Sequence, residues 1–240
     1  MRTLSLIGAL SSAVLTLSAQ ATFPQPLSPR NANYSIDVTL NTAERTLDGR
    51  ETLVWKNISG DRVGDLQFHL YLNAFKNTES TFMKETGGSS RGFEAEEGGW
   101  GWTDITSMTL ADGTDLLPGA EYIQPDDGNV KDRTVMRVPL QKPVRPGETI
   151  RIDIAFKARL PKVFARTGYA GNYYLVGQWF PKIGVWETAG MRGRKVAGWN
   201  CHQFHANSEF YADYGVYDVM MTVPKGYVLG ATGLLQSMRE

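Results

Sequence analysis

Cysteine and histidine are scarce in this chain of 240 residues, which contains one cysteine and three histidines. Because Cys201 is alone, an intrachain disulfide is excluded, and stability has to come from the packing of the core. The three histidines do not form the His-Glu-x-x-His pattern with which a helix holds catalytic zinc. No stretch reaches about 18 consecutive apolar residues, so no transmembrane helix is expected.

Charge of one sign is also lacking, since 25 Lys and Arg balance 25 Asp and Glu and the formal net charge is zero. A nucleic-acid partner, which normally requires a basic patch, is therefore not expected. Hydrophobic residues make up 42% of the chain, which is enough for a substantial core. The length fits one large β domain.

The first 21 residues have the features of a secretory signal peptide. Arg2 provides a positive start, Leu4–Leu17 is largely apolar, and a small-x-small cleavage pattern ends at Ala21. The alternative is a buried amino-terminal helix. We predict export, to the periplasm or out of the cell, after cleavage near Ala21, and an extended lead-in over residues 22–33.

Alternation of apolar and polar residues predicts many strands and no long helix in the rest of the chain. The first two predicted strands are close enough to form a hairpin. Thr78–Gly101, rich in Gly, Ser and Glu, is predicted to be a long loop. An all-β antiparallel sandwich or saddle over residues 34–240 is therefore expected. Its predicted strands are Tyr34–Leu40, Leu47–Trp55, Leu66–Leu72, Ile105–Leu110, Thr134–Leu140, Thr149–Ala158, Tyr217–Val223 and Tyr227–Ala231.

An ordered series of motifs carries a family resemblance. It consists of YSIDVTLNTAERTLDGRETLVWKN (34–57), LQFHLYLNAF (66–75), GQWFPKIGVWE (177–187), HQFHANSEFYADYGVYDV (202–219) and MTVPKGYVLGATG (221–233). Together they resemble the amino-terminal β-domain of zinc aminopeptidases of the membrane alanyl aminopeptidase (gluzincin) family. That resemblance implies the same all-β sandwich or saddle.

The resemblance also implies a larger enzyme. Zinc would be held by His-Glu-x-x-His and a later Glu in a catalytic domain beyond Glu240, and no catalytic or metal-binding residue is expected in this chain. The partners implied are that carboxy-terminal catalytic domain and the amino terminus of a peptide substrate. We expect the β-domain to be truncated at its carboxy end and inactive alone. The alternative is a stand-alone exported β-sandwich that binds protein or carbohydrate.

Two residues are candidates for substrate binding. In the family, Gln or Glu side chains of this domain accept hydrogen bonds from the free α-ammonium group of the substrate. The family pattern is Gln-x-Glu followed by Phe-Pro-x-x-Asp-Glu. Here Phe180-Pro181 is present and Gly184–Glu187 replaces the acidic pair. No Gln-x-Glu precedes Phe180-Pro181, and only Gln178 lies close to it. Gln178 is therefore the first candidate and Glu187 the second.

Other candidates have simpler interpretations. If His202 and His205 lie on a strand, their side chains point to opposite faces and cannot easily hold one metal ion. Cys201 is expected to be a small buried residue and not a nucleophile, because a strand would turn it away from His202. Trp100 and Trp102 could contact a ligand, but packing against the core is the expected role of a tryptophan.

Overall fold

A computed structural model describes residue 26 and residues 28–239, so the signal peptide predicted over residues 1–21 lies outside the described residues. Within this part there are fifteen strands, one short α-helix and three 3₁₀ turns. The strands are β1 (Ala32–Asn41), β2 (Thr46–Lys56), β3 (Val63–His69), β4 (Ser89–Ser90), β5 (Phe93–Glu94), β6 (Trp102–Leu110), β7 (Glu121–Ile123), β8 (Val135–Val144), β9 (Thr149–Arg159), β10 (Gly168–Ala170), β11 (Tyr173–Leu175), β12 (Lys182–Ile183), β13 (Val185–Glu187), β14 (Gly198–Asn200) and β15 (Tyr217–Thr222). Helix α1 spans Thr81–Thr86, and the 3₁₀ turns span Tyr71–Phe75, Leu117–Gly119 and Met191–Gly193.

The larger sheet has five strands in the order β15-β1-β2-β9-β6. The predicted hairpin of β1 and β2 is confirmed, with Tyr34 opposite Leu53. Strand β15 pairs with β1 in parallel, whereas the other pairs of this sheet are antiparallel. Every second side chain of β1, from Ala32 to Leu40, is buried, because one face of the sheet covers the core.

The smaller sheet has four strands in the order β12-β3-β8-β7. Its buried residues, such as Phe68 and Val138, form one apolar cluster with Leu53, Trp55 and other residues of the larger sheet. The two sheets therefore enclose a common core, and the predicted all-β sandwich is confirmed.

A second apolar cluster lies at the other end of the larger sheet. There Val38 and Phe156 are covered by the 3₁₀ turn Tyr71–Phe75, by α1 and by Phe204 from an irregular segment. The small sheet of β10 and β11 also contributes here, since Tyr169 and Tyr174 pack against this cluster. None of the helices between residues 28 and 239 is long and apolar enough to span a membrane.

Three expectations are corrected. The strand predicted at Tyr227–Ala231 is wrong, because this segment has no strand pairing and the side chain of Val228 is 98% exposed. The strand predicted at Leu66–Leu72 ends at His69 and continues as a 3₁₀ turn. Thr78–Gly101 is not a plain loop, since it contains α1 and the small hairpin of β4 and β5.

Candidate functional site

The segment 177–187 begins with a tight turn against a neighbouring loop. A Cβ atom added to Gly177 would lie 2.7 Å from the carbonyl oxygen of Arg166, so only glycine allows this approach. The Gly177 amide also donates to the Thr167 hydroxyl, at 3.2 Å. Gln178 follows with φ of 51°, in the left-handed region, where a side chain costs about 1–2 kcal/mol. The turn therefore presents the Gln178 side chain in a constrained direction.

The next two residues join the two apolar clusters, since both pack against each of them. Trp179 lies 6.1 Å from Phe156 between ring centroids, and Phe180 lies 5.3 Å from Tyr34, edge to face. Tyr34 in turn stacks on Tyr217 of β15 at 5.1 Å. Edge-to-face and offset aromatic pairs add to the stabilisation from burial. This Trp-Phe pair thus anchors the segment across the middle of the core.

Gln178 contacts a cation of its own chain. The Nζ atom of Lys182 donates a hydrogen bond to the Oε1 atom of Gln178. Nζ also lies 5.2 Å from the ring centroid of Phe180 and 5.8 Å from that of Tyr71. Burial among these rings lowers the pKa of Lys182 to about 8. An acceptor that was predicted to hold a substrate ammonium group is thus occupied by a lysine ammonium group.

Lys182 is held by strand pairing with a buried histidine. It lies opposite His69 across β12 and β3. His69 is stacked on Tyr71 at 4.7 Å, and neither of its ring nitrogens has a hydrogen-bond partner in the described part of the chain. Burial, together with the charge of Lys182, lowers the pKa of His69 to about 3, so this imidazole is neutral at physiological pH.

A shallow hollow, open to solvent, lies beside Gln178 and has enclosed room for about one water molecule, about 10 Å³. Its walls are largely aromatic, with Tyr71, Phe204 and Phe210 in mutual contact. Arg166 lies at the same hollow, and its guanidinium group forms two hydrogen bonds of 2.6 and 2.8 Å with Glu209. The hollow therefore combines apolar walls with a polar edge formed by Gln178.

Glu187 has a different set of partners. Its buried carboxylate accepts hydrogen bonds from Arg192 at 2.7 Å, Asn200 at 3.0 Å and Tyr211 at 3.3 Å, and it forms an ion pair of 3.5 Å with Arg194. None of these residues contacts Gln178 through a hydrogen bond in the described chain. The structure does not join the two predicted residues into one polar cluster, and their role in substrate binding stays a prediction.

Gly184 is crowded by a neighbouring buried residue. Gly184 packs directly on Cys201, and a Cβ atom at position 184 would lie 2.8 Å from the Cβ atom of Cys201. A larger residue has no room in this arrangement. Cys201 itself is 2% exposed, and burial raises the pKa of its thiol well above the ordinary value. A buried thiol of this kind is inert, as expected.

The two neighbouring histidines converge, which corrects the expectation that they point apart. Residues 201–208 are irregular and not a strand. Nδ1 of His202 lies 2.6 Å from one carboxylate oxygen of Asp126, and Nε2 of His205 lies 3.2 Å from the other. His205 also contacts Glu85 of α1 at 2.7 Å. Sequence reasoning missed Asp126 and Glu85 because they are distant in the chain.

These contacts shift the ionisation of all three groups at the centre of the cluster. The hydrogen bond to Asp126 raises the pKa of His202. Burial opposes the charge of His205, but hydrogen bonds to Glu85 and Asp126 outweigh it and raise the pKa. Burial alone would raise the pKa of Asp126, and hydrogen bonds from His202 and the Gln203 amide lower it instead. No group of three or more His, Cys, Asp or Glu between residues 28 and 239 is arranged to hold a metal ion.

The two tryptophans of the Gly-rich loop are not equivalent. Trp100 is half-buried and packs against the second apolar cluster, beside the loop's own Glu96 and Gly99. Trp102 starts β6, where it lies opposite Arg159. Packing against the core is thus the observed environment of Trp100, as expected for tryptophan.

Comparisons with known proteins give a limited result. No protein-family model and no curated protein matches the chain. Among solved structures, an M1 zinc metallopeptidase from Deinococcus radiodurans is 16% identical, covers 60% of this chain and 24% of its own, and has a TM-score of 0.34. A mutant of that protein, bound to a Tyr-Ser-Ala substrate, is 15% identical, covers 60% of this chain and 24% of its own, and has a TM-score of 0.34.

A two-domain M1 zinc metallopeptidase mutant bound to L-arginine is 14% identical, with 60% and 24% coverage and a TM-score of 0.35. The chain thus spans about a quarter of the length of these structures. At such TM-scores the similarity supports no transfer of sites or activity. The assignment of the fold as a β-sandwich is based on the two sheets and their common core.

Proposed function

We propose that this chain is the amino-terminal β-domain of an exported zinc aminopeptidase-like protein of the membrane alanyl aminopeptidase family. In this proposal the domain supports a catalytic domain and forms one wall of the substrate cleft. The ordered motif series carries the proposal. The packing of GQWFPKIGVWE supports it, because Trp179 and Phe180 pack against both apolar clusters. A motif with this position would hold a cleft wall rigid.

An exposed apolar segment gives further support. After β15 the chain lies on the surface with large apolar side chains exposed, among them Val228, Leu234, Leu235 and Met238. Several large apolar side chains exposed in one segment are consistent with a surface that another domain covers. In the proposal, the catalytic domain covers it.

Zinc chemistry would belong to that catalytic domain. Zinc bound by His-Glu-x-x-His and a Glu would polarise the scissile carbonyl and activate water. Residues 28–239 provide no arranged group of metal ligands. The role of this chain is therefore to position substrate and partner domain, with Gln178 as the candidate contact for the substrate amino terminus and Glu187 as the second.

The decisive test is the coding sequence on the 3′ side of codon 240, followed by expression of the whole reading frame. We expect His-Glu-x-x-His and a later Glu, bound zinc, and hydrolysis of leucine p-nitroanilide by the whole protein. The 240-residue chain alone should not hydrolyse it. A stop codon, or a continuation without these ligands, would contradict the proposal and favour the stand-alone binding module.

A variant pair tests the domain contact. Leu234→Asp and Leu235→Asp should lower the melting temperature of the whole protein and leave that of the 240-residue chain unchanged, because only a neighbouring domain would bury these side chains. Val130→Asp is the matched control, since Val130 is 75% exposed outside this segment. Equal melting temperatures for all variants of the whole protein would show that no domain covers the segment.

A further inference from the structure

Lys182 is a half-buried cation without an anionic partner. It takes part in none of the ion pairs between residues 28 and 239, and its hydrogen bond goes to the neutral amide of Gln178. A lysine that is taken partly out of water normally has a carboxylate partner. Arg166, a cation that lines the neighbouring hollow, is already neutralised by Glu209. Lys182 therefore provides an uncompensated positive charge.

Hydrogen-bond donors dominate the pair formed by Lys182 and Gln178, which lies beside the hollow. An ammonium group has three donors and no acceptor, and one of those of Lys182 is used by Gln178. The side-chain NH₂ group of Gln178 donates to no residue in the described part of the chain. A ligand approaching the pair meets N–H groups from both side chains, together with one positive charge. Such an arrangement favours an acceptor with negative charge over a second ammonium group.

The pair is constrained on both sides. The left-handed backbone of Gln178 is held by the close approach of Gly177 to the Arg166 carbonyl. Lys182 is held by β12 and lies beside a neutral histidine, His69, which adds no competing charge. Strained backbone positions of this kind are enriched at ligand-binding sites.

We propose that Lys182 and Gln178 bind a carboxylate group of a peptide ligand, whose apolar part lies against Tyr71 and Phe210 in the adjacent hollow. A carboxylate carries one negative charge and two acceptor oxygens, which matches one ammonium group and one amide NH₂ group. A phosphate dianion would leave one charge uncompensated. The inference depends only on these side chains. It gives Gln178 a carboxylate in place of the substrate ammonium group and leaves the proposed role of the domain as a cleft wall unchanged.

The ionisation of Lys182 provides the measurement. A carboxylate within hydrogen-bond distance stabilises the charged lysine, so its pKa should rise from about 8 by about one unit or more. The 240-residue chain with ¹³C,¹⁵N-labelled lysine is titrated by NMR in acetate and in chloride of equal ionic strength. The signal of Lys182 is assigned by its absence in Lys182→Gln. We expect the rise in acetate and not in chloride.

Blocked amino acids distinguish the sources of the carboxylate. N-acetyl-phenylalanine represents a chain terminus, and a glutamate blocked at both ends represents an acidic side chain. Their amides, N-acetyl-phenylalanine amide and blocked glutamine, are the uncharged controls. The acid with the larger shift in the Lys182 signal identifies the source. Phenylalanine amide, which carries a free α-ammonium group, tests the opposite charge preference.

Variants make the test specific. Lys182→Gln and Gln178→Ala should each weaken binding of the preferred acid about tenfold or more, and Lys182→Arg, which keeps the charge, should weaken it less. Lys56→Gln, which removes an exposed lysine at the end of β2, is the control and should not change the affinity. Circular dichroism confirms folding of each variant. The proposal is overturned if the Lys182 pKa is the same in acetate and chloride, if Lys182→Gln binds the acids as well as the wild type, or if only the ammonium ligand binds.

Discussion

Glu51 is a buried carboxyl group whose replacement should stabilise the protein. It lies on β2 between Ile36 of β1 and Ile154 of β9, is 3% exposed, and has no hydrogen-bond partner at either carboxyl oxygen. Burial raises its pKa well above the ordinary value and so favours the neutral form of the group in the folded protein. The unfolded chain ionises it normally, and unfolding is therefore favoured as the pH rises.

The sign and size of the effect follow from this difference. A raised pKa in the folded state contributes stability that is complete below the ordinary glutamate pKa and is lost as the pH rises toward the folded pKa. Within that window the free energy of unfolding falls by about 1.4 kcal/mol per pH unit because of Glu51 alone. Glu51→Gln removes this loss. Glu51→Leu should add about 1–3 kcal/mol, because it also removes the unpaired polar atoms.

Urea unfolding from about pH 5 to pH 9 measures the effect. The free energy of unfolding of Glu51→Gln should exceed that of the wild type by a margin that grows with pH. Asp48→Asn is the control, because Asp48 lies on the same strand with its side chain exposed, and it should change stability by less than about 0.5 kcal/mol. If the curves of the wild type and Glu51→Gln remain parallel over this range, the argument from burial is refuted.

Three further predictions concern the remaining clusters. Asp126→Asn should lower stability by about 2 kcal/mol near pH 6. The difference should shrink as the pH rises through the raised pKa values of the two histidines, and an equal loss at all pH values would contradict this. Gly184→Ala should lower the free energy of unfolding in urea by about 1–3 kcal/mol. Gly64→Ala is the control, because a Cβ atom at position 64 meets open space. Equal losses for the two variants would show that no clash occurs at position 184. Glu187→Gln should lose about 2 kcal/mol in the same assay, and its Lys182 pKa should stay at the wild-type value by NMR.

Local pattern was sufficient for most strands. In β1 and β2 the polar and apolar residues alternate. Two such strands joined by a short connection are expected to pair as a hairpin. The Tyr227–Ala231 prediction failed because alternation only shows that a segment could be a strand. A strand also needs a partner, and the described chain provides none for this segment.

The candidate site was only partly predictable. The resemblance placed attention on residues 177–187 and on Gln178. It gave no indication that Lys182 donates a hydrogen bond to the side-chain oxygen of Gln178. In an irregular segment, a spacing of four residues does not predict whether two side chains meet. The histidines illustrate the same limit, since assuming a strand at 202–205 predicted divergent side chains, whereas the irregular backbone brings both to Asp126.

The sequence by itself determined the strand content, the first hairpin, the absence of an intrachain disulfide and the motif series that suggests a family. These depend on residue type and on the two-residue period of a strand. Only the tertiary structure decided the parallel pairing of β15 with β1, the burial of Glu51, the crowding of Gly184 against Cys201 and the isolated charge of Lys182. These properties depend on which residues, distant in the chain, come into contact. Such contacts exclude water from polar groups, and only the folded chain shows whether those groups then find a partner.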